Sequence, residues 1–243
     1  MNHFLQTVDS IAPGLGFPYY GTLHLTWLSV FVLFTLLSSL LYRKASPAAR
    51  KKLRLLFAAL LLADEAFKTV CLLVGGLWLP DYLPLHLCSI NIFLIALHAV
   101  RPSEAVGSFL YAVCIPAAIA ALLFPTWVSL PLANFMHLHS FTVHILLAAY
   151  PIVLTAGGDI QPKLSAVPKC LMLLIGMAIP TYVINLLLGT NFMFLMYAEP
   201  GNPLYWFETT FGAHEIGFPV LIAAVIVVMH APQILRMLKK TSA

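Results

Sequence analysis

Residues 24–44 read HLTWLSVFVLFTLLSSLLYRK, nineteen residues without a charge followed by Arg43 and Lys44. A helix rises about 1.5 Å per residue, so roughly 20 mostly apolar residues cross a hydrocarbon core about 30 Å thick. Six further stretches qualify or nearly so: 55–78, 84–100, 107–125, 137–156, 168–189 and 211–232. The runs are long and unbroken. Barrel strands would instead alternate every second residue in short segments. The expected fold class is therefore all-α, a polytopic membrane protein with seven transmembrane helices.

Composition agrees. Of the 243 residues, 61% are hydrophobic and 9% charged, against about 25% charged in a soluble domain. Too few charges remain to build a water-facing surface, which excludes a cytosolic domain, a disordered chain and a nucleic-acid binder. The four cysteines, Cys71, Cys88, Cys114 and Cys170, all lie in apolar stretches, which excludes a disulfide framework. Residues 1–23 hold no Lys or Arg, so the first apolar stretch does not read as a signal peptide.

Basic residues set the expected orientation. Arg43, Lys44, Arg50, Lys51, Lys52, Arg54, Arg101, Lys163, Lys169, Arg236, Lys239 and Lys240 are 12 of the 13 Lys and Arg, and all fall in connections on one side. The positive-inside rule then places the N-terminus outside and the C-terminus in the cytoplasm. The expected organisation is an extracytoplasmic segment 1–23, one seven-helix domain 24–232 and a basic cytoplasmic tail 233–243, in a membrane of the bacterial inner (plasma) type. The basic side has short connections. The other side carries 134–140 and 190–211, rich in aromatics and His, and is read as two loops on the working side.

Polar groups inside a span are costly unless paired, so each is a candidate. Asp64 and Lys68 stand four apart with the acid first, the favourable order for a helical ion pair. That spacing predicts an Asp64–Lys68 clamp and leaves Glu65 to find its own partner, in or beside a site. In the third span Pro84 opens the helix and Cys88 lies about one turn inside, where the helix dipole raises the thiolate fraction. Asn91 shares the face of Cys88, whereas His86 points away. In the fifth span His137, Ser140 and His144 recur on one face and His139 falls off it. By depth, Cys88, His144, Asn185, Asn191 and His214 all gather in the outer half of the bundle.

A Cys and a His within hydrogen-bond reach make an activated nucleophile, the imidazole taking the thiol proton and later returning it. Asn91, Asn185 or Glu65 would orient the imidazole or donate to an oxyanion. In the outer leaflet the carbonyl on offer is an acyl ester of a lipid. Two other readings compete. A transporter, flippase or sensor would use Asp64, Glu65 and Lys68 along a path, although no inverted repeat is visible. A metal site would draw on His86, Cys88, His137 and His144, but neither an i, i+4 His pair nor a C-x-x-C spacing occurs.

Three segments carry a resemblance: LPLHLCSINIFLIAL at 83–97, the fifth-span segment ending in His144, and TNFMFLMYAEPGNPL at 190–204. Together they resemble the YwaF and transmembrane-protein-164 family of integral membrane proteins, from about the second span to the seventh. The resemblance implies a seven-helix acyltransferase that moves an acyl chain from a phospholipid to a lysophospholipid through a cysteine thioester. By position it puts the nucleophile on Cys88 and the base on His144. His86, Glu65 and Asn191 fall in shared segments without an assigned role. Membrane lipids are the expected partners, with no cofactor, metal or nucleic acid. CoA is disfavoured because it is a polyanion and the inferred site faces a side without Lys or Arg. A lipid esterase, with water as the acyl acceptor, is the near alternative. Nothing in the pattern specifies an oligomeric state.

Overall fold

The computed structural model describes the backbone of residues 3–241 and the side chains of residues 3–235 and 237. The chain is all-helical, with 74% of its residues in helix and no strand among the described residues. The long helices are α1 (Thr22–Lys44), α2 (Pro47–Val74), α3 (Leu87–Val100), the continuous run α4 (Glu104–Phe109) to α5 (Ile115–Leu123), α6 (Phe135–Ala156), α7 (Val167–Leu188) and, after the short α8 (Pro203–Phe211), α9 (Gly217–Thr241). Six segments are long and apolar enough to cross a membrane: α1, Pro80–Val100 (α3 with the chain leading into it), Glu104–Leu123, α6, Leu164–Leu188 and His214–Leu235. The exception is α2, the longest at 28 residues, which carries basic residues in its first turns and Asp64, Glu65 and Lys68 further along.

The connections following α1, α3 and α6 meet at one end. There Asp159 accepts from Arg50 at 2.7 Å and Arg54 at 3.2 Å, and Lys163 pairs with Glu104 at 2.7 Å. This is the basic end. Helix α9 runs through Pro232 to Thr241, so the expected tail from 233 continues a helix; residues 242–243, like residues 1–2, lie outside the described residues.

The core is α6, buried along most of its length against α1, α2, α3 and α5. Proline shapes its neighbours. Pro116 has no N–H for the carbonyl four residues back and its ring would clash there. The chain widens into a π turn over Leu110–Cys114, whose cap is the Ile115 N–H donating to the Leu110 carbonyl. Pro151 likewise leaves the Leu147 carbonyl without its helical donor, and the Cys114 thiol donates to it instead at 3.4 Å.

At the end opposite the basic one, the N-terminal segment lies across the bundle. Asn134 Nδ2 donates to the carbonyls of His3 and Gln6, each at 2.8 Å, while Asn134 Oδ1 caps α6. Residues 134–140, expected as a loop, are therefore the cap and first turns of α6. The Phe17 N–H donates to the Val128 carbonyl at 2.9 Å, and a Cβ at Gly16 would collide with that carbonyl. The α5–α6 connection, residues 124–134, is thus pinned by the N-terminal segment. Residues 190–211 are a short turn followed by α8, so the seventh long helix begins at Gly217 rather than 211.

Candidate functional site

Helix α3 starts at Leu87, not at Pro84. His86 is its N-cap residue and Cys88 its second residue. The first helical bond runs from the Ile90 N–H to the His86 carbonyl, so the N–H groups of Leu87, Cys88 and Ser89 have no partner within the helix. Of the four free cysteines Cys88 is half-buried as a residue, and Cys71, Cys114 and Cys170 are buried.

This helix end is sunk into the bundle. Cys88 senses the charges of Lys68 and Glu65, which lie six and nine residues before the end of α2, or about 9 and 14 Å below it. His144, nine residues into α6, is at the same depth of about 14 Å and senses Asp64, His139 and His86. In the connection 75–86, Leu77 and Tyr82 pack with Cys71 and Leu72 of α2 and Phe135 and Met136 of α6. Cys88 packs against the core cluster that includes Val143 and Leu147, the residues flanking His144 on α6.

His144 has a defined tautomer. Its Nδ1 lies 2.6 Å from the Ser140 carbonyl, which can only accept, so Nδ1 carries the hydrogen and Nε2 presents a lone pair. That Nε2 makes no hydrogen bond among the described residues. The ring is stacked on Trp127 with centroids 5.4 Å apart and planes 11° apart. His86 has the opposite tautomer: the Met193 N–H donates to its Nδ1 at 3.4 Å, so Nε2 carries the hydrogen.

The loop that reaches His86 is built by Asn185 and Asn191. Asn185 Oδ1 accepts from the Thr190 hydroxyl at 2.9 Å and the Phe192 N–H at 2.8 Å, and Nδ2 donates to the Phe192 carbonyl at 3.0 Å. Asn191 Oδ1 accepts from the Met196 N–H at 3.1 Å. Met193 and Phe194 are both left-handed, with φ of 59° and 55°, a strained pair of the kind that persists where surrounding contacts impose it. Both asparagines thus place a loop. His86 packs edge-on to Phe192 at 5.2 Å and tilted to Phe194 at 5.8 Å.

The α2 acids are arranged differently from the i, i+4 expectation. Lys68 Nζ donates to Glu65 Oε1 at 2.6 Å, and Asp64 faces α6, where Thr142 Oγ1 lies at 3.0 Å and His139 Nδ1 at 3.1 Å. His139 Nε2 is 3.9 Å from Glu65 Oε2. His139, set aside by the helical-face argument, thus lies between both acids within ion-pair distance of each, without a hydrogen bond to either. Asn91 is buried with its Oδ1 unpartnered, as is Glu65 Oε2.

Two expected residues lie elsewhere. His137 is fully buried and both its nitrogens are engaged: Trp27 Nε1 donates to Nε2 at 3.0 Å and Nδ1 donates to the Leu130 carbonyl at 3.1 Å. It is a strut between α1, α6 and the α5–α6 connection. His214 sits in the α8–α9 corner, 3.9 Å from Glu208 and 3.6 Å from Glu215. No group of three or more His, Cys, Asp or Glu side chains with metal-binding geometry occurs among the described residues.

A family model described as the TMEM164 family matches residues 19–230. Neither a curated protein nor a solved structure matches the chain.

Proposed function

Since the chain belongs to the TMEM164 family, we propose that it is a membrane-embedded acyltransferase that moves an acyl chain between a phospholipid and a lysophospholipid through a thioester on Cys88. The observation that carries this reading is the tautomer of His144. With Nδ1–H held on the Ser140 carbonyl, Nε2 is a base with no other occupation, and the half-buried Cys88 packs against the core cluster that includes Val143 and Leu147 of the same helix.

Two half-reactions follow. His144 Nε2 takes the Cys88 thiol proton as the sulfur attacks the ester carbonyl of a phospholipid. The tetrahedral intermediate collapses, the C–O bond breaks, and the leaving lysophospholipid oxygen takes the proton from His144. In the second half, a lysophospholipid hydroxyl gives its proton to Nε2 and attacks the thioester. The C–S bond breaks and the thiolate recovers the proton. No CoA, water or metal enters the balance. Free N–H groups at the head of α3 favour both the thiolate and the oxyanion.

The same reading has seven crossing helices, α2 included, with the N-terminus outside and the basic end cytoplasmic. The site then faces the outer leaflet of a bacterial inner membrane.

Intact-protein mass spectrometry after incubation with phospholipid tests it. Wild type is expected to carry a hydroxylamine-labile acyl mass that Cys88→Ala lacks and His144→Ala forms at least about 100-fold more slowly. Acyl release to water instead of lysophospholipid identifies an esterase. Lipid turnover that Cys88→Ala leaves intact removes the Cys88 thioester, and a wild type with neither adduct nor turnover removes the enzyme reading and leaves a path through Asp64, Glu65 and Lys68.

A further inference from the structure

Trp127 lies in the α5–α6 connection, only 8% exposed, packed with Phe17, Leu122, Leu130, Phe141 and Ile145. One face of its ring covers the His144 imidazole, and Phe141 meets it edge-on at 5.3 Å. Its Nε1–H is buried and finds no acceptor among the described residues. The contrast with Trp27 is direct, since that indole N–H donates to His137 at 3.0 Å.

A buried indole N–H without an acceptor is costly, and folded proteins rarely keep one. Stacking on His144 or filling the cluster requires only the ring, which a phenylalanine would supply without the unmet donor. An acceptor brought by a ligand accounts for the nitrogen. Against the base, within an apolar shell, that acceptor is an oxygen that gains negative charge as the reaction proceeds.

We propose that the Trp127 indole N–H donates to the carbonyl oxygen of the acyl group under attack by Cys88, which makes Trp127 a catalytic residue for acyl transfer. The proposal rests on the acyltransferase reading above. During attack the C=O electron pair moves onto that oxygen, the N–H holds it there, and the pair returns when the leaving oxygen or sulfur departs; no proton moves from the indole.

Trp127→Phe keeps a ring over His144 and removes only the donor. Two rates are read on the purified protein: acylation of Cys88 by phospholipid, and alkylation of Cys88 by N-ethylmaleimide, resolved by peptide mass spectrometry. Acylation is expected to fall about 100- to 1,000-fold, as for loss of one oxyanion donor, with alkylation within about two-fold of wild type. Acylation within about three-fold of wild type overturns the assignment. So does an equal fall in both rates, because Trp127 would then act by placing His144. A wild type that acquires no adduct fails earlier, at the acyltransferase reading, and takes this proposal with it. Should Trp127→Phe not fold, wild type labelled with 15N-tryptophan reports directly. Its Trp127 indole resonance, identified with Trp27→Phe, Trp78→Phe and Trp206→Phe, is expected to move downfield on adding a non-cleavable amide analogue of the phospholipid. An unmoved resonance overturns the proposal.

Discussion

Replacing Lys68 by Met should destabilise the protein far more than replacing Lys68 and Glu65 together. Lys68 Nζ and Glu65 Oε1 are 2.6 Å apart, and the two residues are 6% and 8% exposed. At an effective dielectric of about 20, the attraction across that distance is about 6 kcal/mol before desolvation is charged against it. Removing one partner strands the other. In Lys68→Met, Glu65 keeps only His139, 3.9 Å from its far oxygen, with Asp64 beside it. Breaking a buried pair in this way costs about 3–5 kcal/mol, whereas exchanging both members for apolar residues is close to neutral. For a chain of this size each kcal/mol is worth about 2–4 °C, so the single variant should unfold roughly 6–20 °C lower. The double variant Glu65→Leu/Lys68→Met should lie within about 1 kcal/mol of wild type. Thermal unfolding in one detergent, with Glu65→Leu alone completing the cycle, measures all four proteins. A loss under 2 °C for Lys68→Met, or a double variant as unstable as the sum of the singles, would refute the assignment of a buried, mutually dependent pair. The double variant also separates stability from chemistry. Folded but without the ammonium near Cys88, it should acylate more slowly than wild type.

Three shorter expectations concern the surroundings. His137→Phe removes two buried hydrogen bonds and leaves the Trp27 N–H unmet, so stability should fall by about 2–4 kcal/mol; the Cys88 acylation rate per folded molecule should hold, and a loss of rate would place His137 in the chemistry. Asn185→Ala deletes three hydrogen bonds to Thr190 and Phe192, and amide exchange over 190–194 should rise at least ten-fold, whereas unchanged protection would mean the left-handed turn stands without it. Burial pushes the Glu199 carboxyl above its ordinary value of 4.5, Asp9 and Asp81 adding to this and Asn191 opposing it. The folded state therefore holds this proton more tightly than the unfolded chain, and stability declines as pH rises from 4.5 through the folded value. Glu199→Gln should raise the unfolding temperature at pH 7.5 and leave it unchanged below pH 4.5; an equal gain at both would exclude the carboxylate charge as the cause.

How far the sequence reaches is visible in particular residues. The apolar runs specify the long helices because a backbone in hydrocarbon must satisfy its hydrogen bonds within the segment. The charges of α2 stand out in the same way, whereas Asn134, read as part of a loop, is shown to be the cap of α6 only by the structure. The partner of Lys68 was not legible. Asp64 at i−4 and Glu65 at i−3 are both within reach on an isolated helix, and the choice is made by Thr142 and His139 of α6, which take Asp64. The role of His139 was hidden for the same reason, since helical spacing says which residues share a face and not which neighbour that face meets.

The chain alone thus determines an all-helical, membrane-suited architecture, a concentration of basic residues in alternate connections, and the presence of a thiol and an imidazole at comparable depth. Those follow from local physics: apolar length, cap chemistry, and one donor and one acceptor per peptide unit. Only the tertiary structure decides that α3 begins at Leu87, sunk beside α2; that the left-handed turn at Met193 reaches His86; that His137 is a strut; and that the ring of Trp127 lies over His144. Each depends on two segments distant in sequence meeting at one depth, and the packing of α6 against its neighbours selects that meeting.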